Sequence, residues 1–395
     1  MNNFEFFSPT KVIFGKGVEE KVGAELKAWG ATKVLIHFGG GSVIRSGLMA
    51  RVEASLNEAG LPFVSLGGAL PNPRLSLVYE GIELCRKEGV DFVLAIGGGS
   101  AVDSAKGIAQ GVPYDGDVWD FYSGKAPTTA LPHANIITLA ATGSETSNSN
   151  VITKEEGMLK RGCNTDWNRP RFTLMNPELL YTLPPYQTSC GVVDILMHTF
   201  ERYLSPNTGD VSEVTDRIAE AIMRTVIQYG PVCLEKPDDY TARSEVMWAG
   251  SISHNHMTGL GRKTDWASHQ MEHELGGMYD VAHGAGLAAV WGSWARYVCD
   301  EDVMRFARFA VNVWGLNMNY DDPKETALAG IVAAEDFFRK MEMPVSIGEM
   351  LPDVTITDET IEELAVKCTF FGKRTIGGMK RLGKEDIMAI LKAAL

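Results

Sequence analysis

Asp194 and His198 stand four residues apart in GVVDILMHTFERY (191–203), an apolar-rich stretch with no proline and one glycine at its start. Four residues is about one helical turn, so the two side chains share a face. His269 and His273 repeat the spacing in DWASHQMEHELGGMYDVAHGAG (265–286). His283 follows ten residues after His273, beyond Gly276 and Gly277, which are expected to break that second helix. A carboxylate and several imidazoles drawn from two helices and a turn suit a divalent metal held by three imidazoles and one carboxylate. A lone histidine among apolar residues more often fills a core. Two spaced pairs, with three of the chain's eight histidines between 269 and 283, are less readily explained that way. Gln270 follows His269, so the HExxH pattern of zinc proteases is absent.

A second group of residues suits an anion. GGGSAVDSAKGIA (97–109) follows an apolar strand-like run and opens a helix. Gly97, Gly98 and Gly99 let the backbone approach a phosphate, and a helix N-terminus offers N–H groups and a positive dipole end. Ser100 adds a hydroxyl, and Asp103 reads either as part of the ligand loop or as a cap or dipole partner. A tight strand–helix turn with no ligand is the alternative. Gly39, Gly40, Gly41 and Ser42 form a similar run, but Ile44 and Val102 stand where GxGxxG needs its last glycine. Thr138, Thr142 and Ser144 place hydroxyls after a further apolar run, and PNP at 71–73, with Asn72 at its centre, is a stiff turn.

The elements that must carry these residues fall into two patterns. Over 1–185, strand-like runs at 6–15, 33–38, 62–68, 91–100 and 135–145 alternate with helical windows at 18–30, 46–59 and 76–89. That rhythm predicts βαβ units and a Rossmann-like parallel sheet, with ligands at the carboxyl ends of the strands. Over 186–395 the windows 189–204, 210–229, 240–257, 265–275, 284–299, 301–314, 323–341, 358–369 and 384–394 are helical. The expected architecture is an α/β dinucleotide-binding domain (1–185) and an all-α metal-binding domain (186–395). The breakers in TLPPYQTS mark the boundary, and a cleft between the domains is the expected active site. His254 and His256 read as surface or packing residues. Asn255 and Trp248 are candidate pocket-wall positions, with helix packing the simpler role for Trp248.

Composition removes several classes. The 395 residues are 45% hydrophobic and 22% charged, with a net charge of −13 spread along the chain, which argues against nucleic-acid and anionic-membrane partners. Six cysteines without a CxxC read as reduced thiols. No apolar run reaches the ~18 residues of a membrane span, and MNNFEFFSPTK lacks a signal-peptide pattern, so a cytoplasmic location is expected.

Taken together, PTKVIFGKG (9–17), PNP (71–73), GGGSAVDSAK (97–106), TGSE (142–145), Asp194 with His198, the histidines at 269, 273 and 283, and GGMKRLGKEDIMAIL (377–391) resemble the iron-containing, or group III, alcohol dehydrogenases over nearly the whole chain. The resemblance is strongest to the branch of NADPH-dependent butanol dehydrogenases and aldehyde reductases. It implies that Asp194, His198, His269 and His283 are metal ligands, for Fe²⁺ or alternatively Zn²⁺, and that His273 lies near the substrate as proton relay or positioning group. It also implies that Gly97, Gly98, Gly99, Ser100 and Asp103 form the cofactor loop. Thr138, Thr142 and Ser144 would surround the diphosphate and nicotinamide, and Lys160 would reach the cofactor ribose. NAD-preferring members often carry an aspartate after the second strand; here that position is Gly39, which favours NADP(H). The implied reaction is hydride transfer between NADP(H) and a primary alcohol or aldehyde such as butanol or butyraldehyde, with the metal polarising the substrate oxygen. A homodimer is the family expectation.

Three other readings stay open on residues alone. One is a metal-dependent lyase of the dehydroquinate-synthase type, and another a glycerol-type polyol dehydrogenase. The third is a metal-storing or dinucleotide-sensing binding protein. The apolar surroundings of the ligand positions favour a small uncharged substrate over the lyase's phosphorylated one.

Overall fold

The structure, a computed structural model, describes residues 1–206 and 212–395; the first two residues of the helix expected at 210–229 lie outside the described residues. The chain divides into two compact units. One is drawn from Phe7–Leu183 and Pro237–Ser251, the other from Met1–Phe6, Pro184–Lys236 and Ile252–Leu395.

The first unit is built on a six-stranded sheet in the order β1-β8-β5-β4-β2-β3. Its strands are β1 (Lys11–Phe14), β2 (Val34–Phe38), β3 (Phe63–Leu66), β4 (Phe92–Gly97), β5 (His133–Ile137) and β8 (Phe172–Met175), and every neighbouring pair is parallel. β2 and β4 read VLIHF and FVLAIG, nearly unbroken apolar runs that are buried on both faces, as a helix-covered parallel sheet requires. Helices α1 (Val22–Ala28), α2 (Ser42–Arg45), α3 (Leu48–Glu58), α4 (Leu75–Glu88), α5 (Gly99–Gly111) and α6 (Trp119–Tyr122) connect the strands. Val22 and Leu26 of α1 and Val52 and Leu56 of α3 join Val34, Ile36, Leu94, Ile96, Ile136 and Leu174 in one buried cluster. After β2 the chain moves outward to β3, then returns past β2 to β4. The carboxyl ends of β2 and β4 therefore flank a topological switch point, where such sheets bind ligands.

The parallel sheet and the helical C-terminal region are as expected, with local corrections. The strand expected at 135–145 ends at Ile137, because the small and polar residues that follow form turns, with Gly143 at φ 61°. A two-stranded antiparallel hairpin, β6 (Val151–Lys154) with β7 (Leu159–Gly162), and strand β8 lie where no strand was expected. The expected domain division leaves out one exchange. Residues 237–251 belong with the sheet unit, because Trp248 meets Phe14 edge-on at 6.5 Å, Lys16 lies over the Tyr240 ring, and Ser251 donates to Glu145. Met1–Phe6 belong with the helical unit, where Asn2 N–H donates to the Gly261 carbonyl.

The helical unit contains α7 (Pro185–Tyr203), α8 (Glu213–Glu235), the end of α9 (Tyr240–His254), α10 (Ala267–Tyr279), α11 (His283–Val298), α12 (Val303–Trp314), α13 (Pro323–Lys340), α14 (Ile347–Met350), α15 (Asp358–Cys368) and α16 (Lys384–Ala393). Phe200 of α7 packs on Trp291 of α11 (5.2 Å between ring centroids) and edge-on against Phe309 of α12 (4.9 Å), anchoring one side of α7 in the core. At 100° per residue, Asp194 and His198 then face away from that anchor. No helix among the described residues is long and apolar enough to cross a membrane.

Candidate metal centre and glycine loops

Three local features of the helical unit bring the metal-type residues together. α7 presents Asp194 and His198 on one face. α10 starts at Ala267 because Trp266 adopts a left-handed conformation (φ 68°) and carboxylates receive the first N–H groups: Asp265 Oδ1 accepts from Ala267, and Glu201 Oε1 accepts from Ser268 and His269. α10 then runs through Gly276 and Gly277 and stops at Asp280, at φ 54°. The expected break at the glycines is therefore displaced, since an interior glycine weakens a helix by only about 1 kcal/mol. His283 opens α11, which sits against α7 so closely that a Cβ on Gly284 would lie 2.2 Å from the Cys190 carbonyl oxygen.

The result is a convergence on one oxygen. The Nε2 atoms of His198, His269 and His283 lie 3.6, 3.7 and 3.6 Å from Asp194 Oδ1. Those separations are too long for hydrogen bonds. They are close to the ~3.3–3.6 Å edge of a tetrahedron of ligands about 2.0–2.2 Å from a metal. Asp194 Oδ1 and His269 Nε2 are buried without a hydrogen-bond partner among the described residues, which fits atoms shaped for a cation. Ligand atoms of Asp194, His198 and His269 all lie within 4.8 Å of one another.

Residues that sequence reasoning passed over complete the centre. Glu201, three residues after His198, accepts from His269 Nδ1, and Glu272, three after His269, accepts from His283 Nδ1; both glutamates are fully buried. The ring of His254 packs on His198 at 4.1 Å, so it is a packing residue and not a surface one. Buried Arg202 donates to the carbonyls of His198 and Ser253 and lies 4.5 Å from the Trp266 ring centre. Burial would lower His269, but the Glu201 and Asp194 carboxylates outweigh it and raise its pKa to about 9. Burial, then the neighbouring His269 and Arg202, holds His198 well below the usual histidine range. His273, on the next turn of α10, has its ring 6.0 Å from that of His283.

The surroundings of these residues are mixed: Trp266 lies 5.2 Å from the His269 ring, whereas the Glu201 and Glu272 carboxylates meet His269 and His283. A cleft of about 620 Å³ in this unit is also polar, with Asp265 and Gln270 beside Arg262, Lys263 and Arg381.

In the sheet unit, the expected anion-binding residues lie after adjacent strands. Gly39–Ser42 follow β2, Gly98–Ser100 follow β4, Thr138 to Ser144 follow β5, and Asn72 follows β3. Gly99 has no alternative, since a Cβ there would meet Thr142 Cγ2 at 2.3 Å. Asp103 is not a helix cap: its Oδ1 accepts from Ser144 Oγ (2.6 Å) and its Oδ2 from Val151 N–H (3.0 Å). Fully buried Lys106, one turn further along α5, donates to the carbonyls of Ser144, Ser147 and Ser149 and to Ser144 Oγ. The hydroxyl loop is thus pinned to the glycine-loop helix. Lys160 is buried on β7 opposite Thr153, whose N–H donates to the Pro73 carbonyl, so its hairpin adjoins the Asn72 turn.

Comparison with known proteins finds two family models. Residues 9–177 match the iron-containing alcohol dehydrogenases, and residues 188–395 match the C-terminal part of the Fe-containing alcohol dehydrogenase family. NADH-dependent butanol dehydrogenase A of Clostridium acetobutylicum is 42% identical, over 99% of both chains. The NADPH-dependent aldehyde reductase of Escherichia coli strain K12 is 34% identical, over 88% of this chain and 89% of its own. The crystal structure of NADH-dependent butanol dehydrogenase A from Thermotoga maritima superposes with a TM-score of 0.94 at 38% identity, over 100% and 99% of the two chains.

Proposed function

Because this chain belongs to the iron-containing alcohol dehydrogenase family, we propose that Asp194, His198, His269 and His283 hold its divalent metal, Fe²⁺ or Zn²⁺, and that the loops of the sheet unit hold NADP(H). As a family member the chain is an alcohol/aldehyde oxidoreductase that uses a nicotinamide cofactor and an iron-type metal. The relatives' names do not favour the lyase or glycerol-type readings. The observation that carries the metal assignment is the convergence of three imidazole Nε2 atoms on Asp194 Oδ1. Once bound, such a metal is a Lewis acid for a substrate oxygen, and the nicotinamide gives or takes the hydride.

The chain's own residues supply the rest. With Nδ1–H of His269 and His283 directed at glutamates, each ring turns its Nε2 toward Asp194 as a ligand atom. Trp266, whose ring lies 5.2 Å from that of His269, covers one side and keeps water out. His273 holds or passes the proton of the substrate oxygen, directly or through water. Substrates are primary alcohols and aldehydes such as butanol and butyraldehyde, as the relatives' names suggest.

NADP(H) preference is supported by the turn after β2. Gly39–Ser42 carry no carboxylate to repel a 2′-phosphate, and the Arg45 guanidinium folds back to within 2.7 Å of where a Gly41 Cβ would stand. The names of two butanol dehydrogenase relatives favour NADH as a second reading. Fluorescence titration with NADPH and NADH, beside butyraldehyde reduction with each, decides between them. Tighter binding and faster turnover with NADPH are expected, and an NADH preference in both would overturn the Gly39 inference. His273→Ala should lower kcat about 10²-fold or more while leaving metal content intact, the usual scale of lost acid–base help. An unchanged kcat would assign His273 to packing alone.

A further inference from the structure

On the reading that Asp194, His198, His269 and His283 hold a metal, we infer that Glu201 and Glu272 are positioning residues of that centre, each orienting one imidazole so that its Nε2 faces Asp194. A neutral imidazole carries one proton, and the nitrogen without it is the one that can ligate. In His269 the Nδ1–H donates to Glu201 Oε2, and in His283 to Glu272 Oε2. Each bond fixes both the tautomer and the rotation of the ring. A buried carboxylate is costly unless it is paired, and both glutamates are fully buried.

Glu201 divides its work between two oxygens. Oε1 accepts from the Ser268 and His269 N–H groups and so terminates α10, whereas Oε2 meets the imidazole. The two roles are therefore separable. Gln at 201 keeps an acceptor for the helix N-terminus but turns an NH₂ toward His269 Nδ1–H. Two donors then face each other, and the ring relieves this by rotating or by moving its proton to Nε2, which ends its capacity to ligate. Glu272 lies beyond the first turn of α10.

His198 is held differently. Its Nδ1 is buried without a partner among the described residues, and its ring is set by packing on His254 at 4.1 Å and on His269 at 4.8 Å. The centre thus has two imidazoles oriented by carboxylates and one oriented by neighbouring rings.

The test uses the full chain, stripped with chelator and titrated with Zn²⁺ against a chromophoric chelator, for the wild type, Glu201→Gln and Glu272→Gln. Each substitution should raise the Zn²⁺ dissociation constant about 10- to 100-fold. NADPH affinity and the thermal midpoint of the metal-free protein should stay at wild-type values. A dissociation constant within about twofold of wild type in both variants would overturn the inference while leaving the metal assignment standing. Failure of the wild type itself to bind Zn²⁺ would overturn the metal assignment and this inference with it. Should Glu201→Gln not fold, Glu272→Gln decides the outcome alone.

Discussion

A buried acceptor that faces other acceptors is unfavourable unless a proton or cation lies among them. Asp194 Oδ1 has three imidazole nitrogens around it at 3.6–3.7 Å, so on the proposed reading a bound cation offsets the cost of bringing α7, α10 and α11 together. The convergence of Asp194 with His198 was legible in the sequence because helical spacing alone puts them on one face. Glu201 and Glu272 were not, although each lies three residues after one of the clustered histidines, because a glutamate in a helix ordinarily reads as a solvated residue. A different buried histidine contributes to the acid response. His37 of β2 is fully buried, and burial pushes its pKa down to about 4 from the ordinary 6.5. The unfolded chain therefore binds a proton that the folded chain refuses. The stability held above pH 6.5 is lost as pH falls toward 4, by about 3 kcal/mol at the end of that window. Urea unfolding of His37→Leu across this range should show a shallower acid limb than wild type; identical limbs would remove His37 as a cause.

At the scale of elements, the glycine loop after β4 and the hydroxyl loop after β5 form one structure. Lys106 ties them through four oxygen atoms, and Asp103 and Ser144, expected to face a cofactor, bond to each other. Lys106→Met would leave three carbonyls, those of Ser144 and Ser147 in buried residues, without this donor. A loss of about 3 kcal/mol or more in urea unfolding is expected, with weaker NADPH binding in fluorescence titration. Wild-type values for both would show that the loop is held by other contacts. β2 and β4 were legible as unbroken apolar runs, and all nine helical windows beyond 186 contain helices. The β6–β7 hairpin was not legible, because KEEGMLKRG is polar and lacks alternation, and its pairing is visible only once Thr153 meets Pro73. Gly276 and Gly277 were misread because the helix ends only where Asp280 turns left-handed.

For the whole molecule, the chain's break at Leu183–Pro184 follows breakers that the sequence displays, whereas the return of Pro237–Ser251 to the sheet unit depends on contacts with Phe14, Lys16 and Glu145 far away in sequence. On the proposed reading the cofactor loops lie within the sheet unit and the four metal-type residues within the helical unit. Oxidoreduction of an alcohol or aldehyde by a nicotinamide then requires the metal as well as the cofactor. The most direct measurement is NADPH oxidation by butyraldehyde with chelator-stripped protein, before and after addition of Fe²⁺ or Zn²⁺. Turnover should be lost on stripping, return with the added metal, and fail to return in His269→Ala. Stripped protein that turns over at the untreated rate would contradict the metal centre at Asp194, His198, His269 and His283.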